Sequence, residues 1–224
     1  MSYYARVEPI RPRMRFSAIE IRQILIAVAV MTVAFALVQI GGVFGIELSL
    51  RQLGGVFVPY VLLGSFIAVV TAFLLHELAH KVVAQRYGCF AEFRYYPMGL
   101  ALGLLTAAAG FIFAAPGAVV ISGPVTPRQH VRISAAGPGT NIALAALFIG
   151  LSFGFGLRGT LTTIRAFFGP VAFVNLFLGG FNLIPFPPLD GSKVFAVHKP
   201  LWAAMIATIV ALYVIGSRLG VFVL

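Results

Sequence analysis

His76, Glu77 and His80 stand in the run His-Glu-Leu-Ala-His. On a helix, side chains four apart share one face, with Cβ atoms about 6 Å apart. Both imidazoles can therefore reach one cation while Glu77 leans toward the same side. That set suits water activation: a metal held by the histidines makes a water acidic and the carboxylate takes its proton. Zinc, one ion per chain, is the metal that two imidazoles, a carboxylate and an open position favour. The run closes an apolar stretch long enough to cross a membrane, where a charge is costly and marks function.

Two imidazoles leave a tetrahedral ion short of one protein ligand beside its open position. Only six acidic residues can supply it. Glu8 and Glu20 are in the N-terminal segment, Glu47 in an outer loop and Glu92 just past the second apolar span, while Glu77 is the base. Asp190 remains, at the end of Asn182-Leu-Ile-Pro185-Phe-Pro187-Pro188-Leu189-Asp190-Gly191, directly after an apolar span. The prolines end the helix and hold an extended path, and Gly191 permits a sharp turn. A carboxylate at that depth calls for a partner or a metal.

The elements that position these residues cross a bilayer. The chain has 224 residues, 60% hydrophobic and 10% charged, with mean hydropathy +1.02, far from the soluble average of about a quarter charged. It is an integral, multi-pass membrane protein. The net charge of +10 sits between apolar spans rather than on a face with interleaved aromatics, which points to lipid headgroups and not to nucleic acid. The single cysteine, Cys89, excludes an intramolecular disulfide and a cysteine-based metal cluster.

Residues 1–23 form a basic N-terminal segment with Arg6, Arg11, Arg13, Arg15 and Arg22. About five spans follow: 25–46, 56 into the histidine run, 133 or 139 to 155, 167–184 and 201–221, each near the ~20 residues that spanning requires. Lys81 and Arg86 mark where the second span leaves the hydrocarbon. The segment 95–127 is apolar but broken by glycine and proline. Phe111-Ile112-Phe113 and Val119-Val120-Ile121, on either side of Pro116-Gly117, read as a membrane β-hairpin or re-entrant loop. With that segment not crossing and the N-terminus cytoplasmic, twelve basic residues fall on the cytoplasmic side and four opposite. The expectation is a cell-membrane protein whose active site faces the cytoplasm. His130 and His198 read as interfacial residues, and Tyr95, Tyr96 and Trp202 as an aromatic belt.

Together the motifs resemble the site-2 protease family of intramembrane zinc metalloproteases. His76-Glu77-x-x-His80 is similar to its metal motif, and Asn182-x-x-Pro185-x-x-x-Leu189-Asp190-Gly191 to its downstream signature. Gly137-Pro138-x-x-Asn141 looks like a further family element. The resemblance covers about residues 56–193 and implies an all-α transmembrane bundle with a three-helix catalytic core, within one protease domain over 24–224. It also implies that His76, His80 and Asp190 hold zinc, that Glu77 is the general base, and that Asn182 binds substrate backbone or the oxyanion. Asn141 reads rather as an interhelical hydrogen-bond residue. The substrate implied is a transmembrane protein or peptide, which must unwind before a carbonyl is reachable; a strand between Gly110 and Ser122 offers an edge for it. The alternative from another class is a membrane metal-ion transporter or channel. Transport would repeat polar residues across several spans, whereas here they gather at one depth.

Overall fold

The computed structural model describes residues 14–43, 57–156 and 162–222. Glu8 and Glu47 lie outside them, as do Arg6, Arg11, Arg13, Arg51 and Arg158 and the end of the first expected span.

Helix α1 (Ala18–Gln39) begins earlier than hydropathy suggests, at a Ser17-x-x-Glu20 cap in which Ser17 Oγ accepts from the Glu20 N–H at 3.1 Å. Next come α2 (Phe57–Ala68), a six-residue π-helical stretch (Val69–Leu74) and α3 (Leu75–Arg86), one continuous rod carrying the histidine run on its last part. Strand β1 (Phe90–Tyr95), helix α4 (Pro97–Ala108) and strand β2 (Gly117–Ser122) follow. The long helix α5 (Pro127–Gly156) contains Pro138, and α6 (Thr162–Asn182) contains Pro170; the short α7 (Asp190–Val197) then precedes α8 (Lys199–Arg218).

Among the described residues, four helical stretches are long and apolar enough to cross a bilayer: Ala18–Gln39, Pro59–Arg86, Pro127–Gly154 and Lys199–Arg218. Phe167–Asn182 within α6 is a shorter apolar helix. The architecture is that of an all-α membrane protein with one small sheet.

That sheet corrects the expected hairpin. Phe111-Ile112-Phe113 forms no strand. Instead β2 pairs antiparallel with β1, from Phe90 opposite Ser122 to Tyr95 opposite Gly117, and α4 lies between them in sequence. The alternation of buried Ala91 and Phe93 with more open neighbours is the period-2 signature of β1. The residues expected to break 95–127 do not break α4, because Gly99 and Gly103 are contact points: a Cβ on either would strike Ala115 or Ala114. Past the helix, Thr106 Oγ1 accepts from the Phe113 N–H at 3.0 Å, giving that backbone a partner outside any ladder.

Two apolar clusters flank the site. One packs α2, α5 and α6 through Ala68, Phe148, Ile149, Val171 and Leu176. The other joins α1, the π-helical stretch, β1 and α4 through Val28, Met31, Phe73, Phe93 and Leu100. The histidine-bearing rod runs between them.

Candidate metal centre

His76 and His80 are 2% and 7% exposed, on the face of α3 that meets α5. Two hydrogen bonds fix their rings. Asn141 gives both its amide protons away, to the Ala72 carbonyl at 2.9 Å and to Asn175 Oδ1 at 3.2 Å, so its Oδ1 can only accept from His76 Nδ1, at 2.5 Å. The Ile133 carbonyl accepts from His80 Nδ1 at 2.7 Å. With both protons on Nδ1, both Nε2 lone pairs point inward. The network continues from Asn175 to Thr71 Oγ1 at 3.1 Å, inside the π-helical stretch.

Asp190 arrives from the opposite direction, on the first turn of α7. Gly191 lies so close to Leu183 that a Cβ would collide with its backbone, which folds the 183–190 loop back on itself. The Leu183 carbonyl accepts from Trp202 Nε1 at 2.6 Å, tying the loop to α8. Asp190 Oδ2 comes to rest 3.3 Å from His76 Nε2 and 3.0 Å from His80 Nε2, and the two Nε2 atoms are 3.0 Å apart.

Three acceptor atoms thus face one another with no proton between them, an arrangement that repels unless a cation is shared. Ligands 2.0–2.1 Å from a tetrahedral ion stand roughly 3.3 Å apart, close to the spacings found here. The donor set and its spacing fit zinc. Among the described residues this is the group of His, Cys, Asp or Glu that could hold a metal. Gly137 lets α5 come this near, since a Cβ there would strike Nε2 of both histidines.

Glu77 Oε2 accepts from the Val119 N–H of β2 at 2.8 Å. A cavity of about 1480 Å³, mostly apolar, opens beside the three ligands and Glu77, with Met31 and Phe35 of α1, Val119 of β2 and Phe177 and Asn182 of α6 in its wall. Asn182 Nδ2 donates to the Leu178 carbonyl at 3.0 Å, one turn back in its own helix. Asn141 is interhelical, as its type and place suggest. Trp202 does more than sit in an aromatic belt, and His198 accepts from the Leu201 N–H at the start of α8.

Lys81 has a partner that the sequence did not show: it is fully buried and paired with Glu20, Nζ lying 2.6 and 2.5 Å from the carboxylate oxygens. The Ser-x-x-Glu cap was the available signal for where Glu20 sits, but nothing local pairs it with Lys81, 61 residues on. Asn175 and the Val119 amide were likewise invisible before folding.

The chain is similar to known proteins. The chain is 44% identical over 157 residues to a protein of Methanocaldococcus jannaschii, MJ0611, covering 69% of this chain and 78% of that one. It is 34% identical over 179 residues to Rip3 of Mycobacterium tuberculosis (74% of this chain, 42% of the relative) and 33% identical over 156 residues to YwhC of Bacillus subtilis (61% and 67%). All three bear the name "putative zinc metalloprotease". No family model and no solved structure matches. These likenesses define the class as zinc metalloprotease. More narrowly, the chain belongs to the site-2 protease family.

Proposed function

We propose that this metalloprotease cuts peptide bonds in or near transmembrane helices of membrane-protein substrates, with His76, His80 and Asp190 holding one zinc ion and Glu77 acting as general base. The observation that carries this reading is the convergence of His76 Nε2, His80 Nε2 and Asp190 Oδ2 on one point, one residue along the helix from Glu77. Bound there, zinc would supply Lewis acidity to a water and to the scissile carbonyl.

The protein's own groups do the rest. Asn141 and the Ile133 carbonyl hold the imidazoles in the tautomer that offers Nε2. Glu77 accepts a proton from the attacking water as its oxygen bonds to the carbonyl carbon, then delivers that proton to the nitrogen as the C–N bond breaks, leaving a carboxylate and an amine. The apolar cavity wall keeps bulk water from the unwound substrate. An extended substrate segment adds to the outer edge of β2, the edge Glu77 faces, and Asn182 meets its backbone from α6. The basic residues flanking the spans support an N-terminus and active site on the cytoplasmic side of the cell membrane, in contact with anionic lipid.

Purified wild type, Glu77→Gln and Asp190→Asn, each analysed for zinc and incubated with a single-span reporter substrate in detergent, test the reading. Glu77→Gln keeps its zinc and loses cleavage by roughly 10²–10⁴-fold, whereas Asp190→Asn loses both. Cleavage that survives in Glu77→Gln, or full zinc content in Asp190→Asn, contradicts it.

A further inference from the structure

Glu77 is one of two glutamates that grip the sheet. Its Oε2 takes the Val119 N–H on the outer edge of β2 at 2.8 Å. On the outer edge of β1, Glu20 Oε1 takes the Phe93 N–H at 2.9 Å. Phe93 and Val119 face one another in register, so this is a step of the ladder whose N–H groups point outward, each to a carboxylate. Glu20 is held in turn by Lys81, and both side chains are fully buried. Lys81 follows Glu77 by four residues, on the same face of α3. The contacts close a ring that runs from Glu77 through Val119, Phe93, Glu20 and Lys81, then back along one helical turn.

A buried ion pair is a poor way to gain stability, since apolar side chains of similar volume hold two helices together as well. What this pair adds is a fixed location for Glu20, and through it for β1 and β2. A glutamate's terminal torsion is broad, so a carboxylate with both oxygens free samples many orientations. The Val119 N–H removes that freedom and leaves the second oxygen unengaged by this bond.

We propose that this ring is a positioning device for Glu77, in which the Val119 N–H aims the carboxylate and the Glu20–Lys81 pair holds the strands that carry that N–H. It rests on the reading of Glu77 as general base. Glu20 and Lys81 are positioning residues, acting through Glu77 without touching substrate, and the Val119 N–H, given to Glu77, takes no part in pairing β2 with substrate.

Replacing the Ala118–Val119 peptide bond by an ester deletes this one N–H, and because it points away from β1 the ladder keeps every donor, with the Ala118 carbonyl opposite Arg94 a weaker acceptor. In the full chain with a single-span reporter substrate, kcat falls roughly tenfold to a hundredfold, KM stays within about twofold, and bound zinc is unchanged. Amide hydrogen exchange at Val119 supplies a readout without substrate. It is slow in the wild type and faster in Glu77→Ala and in the double variant Glu20→Leu/Lys81→Leu, which removes both buried charges together so that neither is left unpaired. An unchanged kcat in the ester, loss of its zinc, or unmoved Val119 exchange in the double variant overturns the device. Cleavage surviving in Glu77→Gln would instead overturn the role of Glu77 itself.

Discussion

The histidine side of the site is held by a polar network buried between helices, whereas the aspartate side is held by a folded loop. Asn141, Asn175 and Thr71 form a polar chain in the interior, completed by bonds from Asn175 to the Val171 carbonyl and from Thr71 to the Ile67 carbonyl. Asp190 instead depends on a folded loop, a glycine pressed against Leu183 and one indole bond from Trp202. Interior networks fail as units, because a group left unpaired there bears the full cost of desolvation. A loop gives way locally and by degrees. On this contrast the histidine half is the stiffer reference and the aspartate half the more yielding one.

The contrast can be broken most directly at its two glycines. Gly137→Ala thrusts a methyl group at both Nε2 atoms, so zinc content falls below detection and the melting temperature drops, with overpacking costing about 1–3 kcal/mol. Asn141→Leu comes next: it strips the partner from His76 Nδ1 and strands Asn175, lowering zinc affinity roughly 10–100-fold in a competition titration. Gly191→Ala pushes on the Leu183 backbone and weakens zinc binding less, because the loop can shift while the histidines stay in place. Trp202→Phe has the smallest effect, near the ~1 kcal/mol of a single hydrogen bond, seen as a modest rise in the zinc dissociation constant with the melting curve almost unmoved. If Trp202→Phe cost as much as Asn141→Leu, the two halves would be equally rigid and the contrast would fail.

Much of the site was legible in the sequence because its chemistry is local. His76, Glu77 and His80 declare themselves by helical spacing, and Asp190 follows from the scarcity of carboxylates. The spans were legible from hydropathy, although α1 starts at Ala18 because a capping serine and glutamate outweigh the polar composition of its first turn. The sheet was misread because β-branched runs reveal strands but not their partners: β2 was visible and β1, 22 or more residues before it, was not joined to it. The partner of Lys81 escaped the sequence for a related reason. A lysine after an apolar run usually marks an interface, and only the return of α1 across the molecule brings Glu20 to neutralise it. Long-range pairing is set by packing, which no window of neighbouring residues encodes.

The π-helical stretch from Val69 to Leu74 has a consequence for how the rod can be altered. A wider turn accommodates an extra residue, and each residue swings the following side chains about the axis by roughly 100°. Upstream, α2 offers its apolar face to α6; downstream, α3 offers its imidazoles to α5. Shortening the stretch by one residue would leave composition and span length nearly untouched while swinging His76 and His80 out of line with Asn141. The widened turn works as a phase adjuster, letting a single rod serve a helix-packing face and a reaction centre that need different rotations.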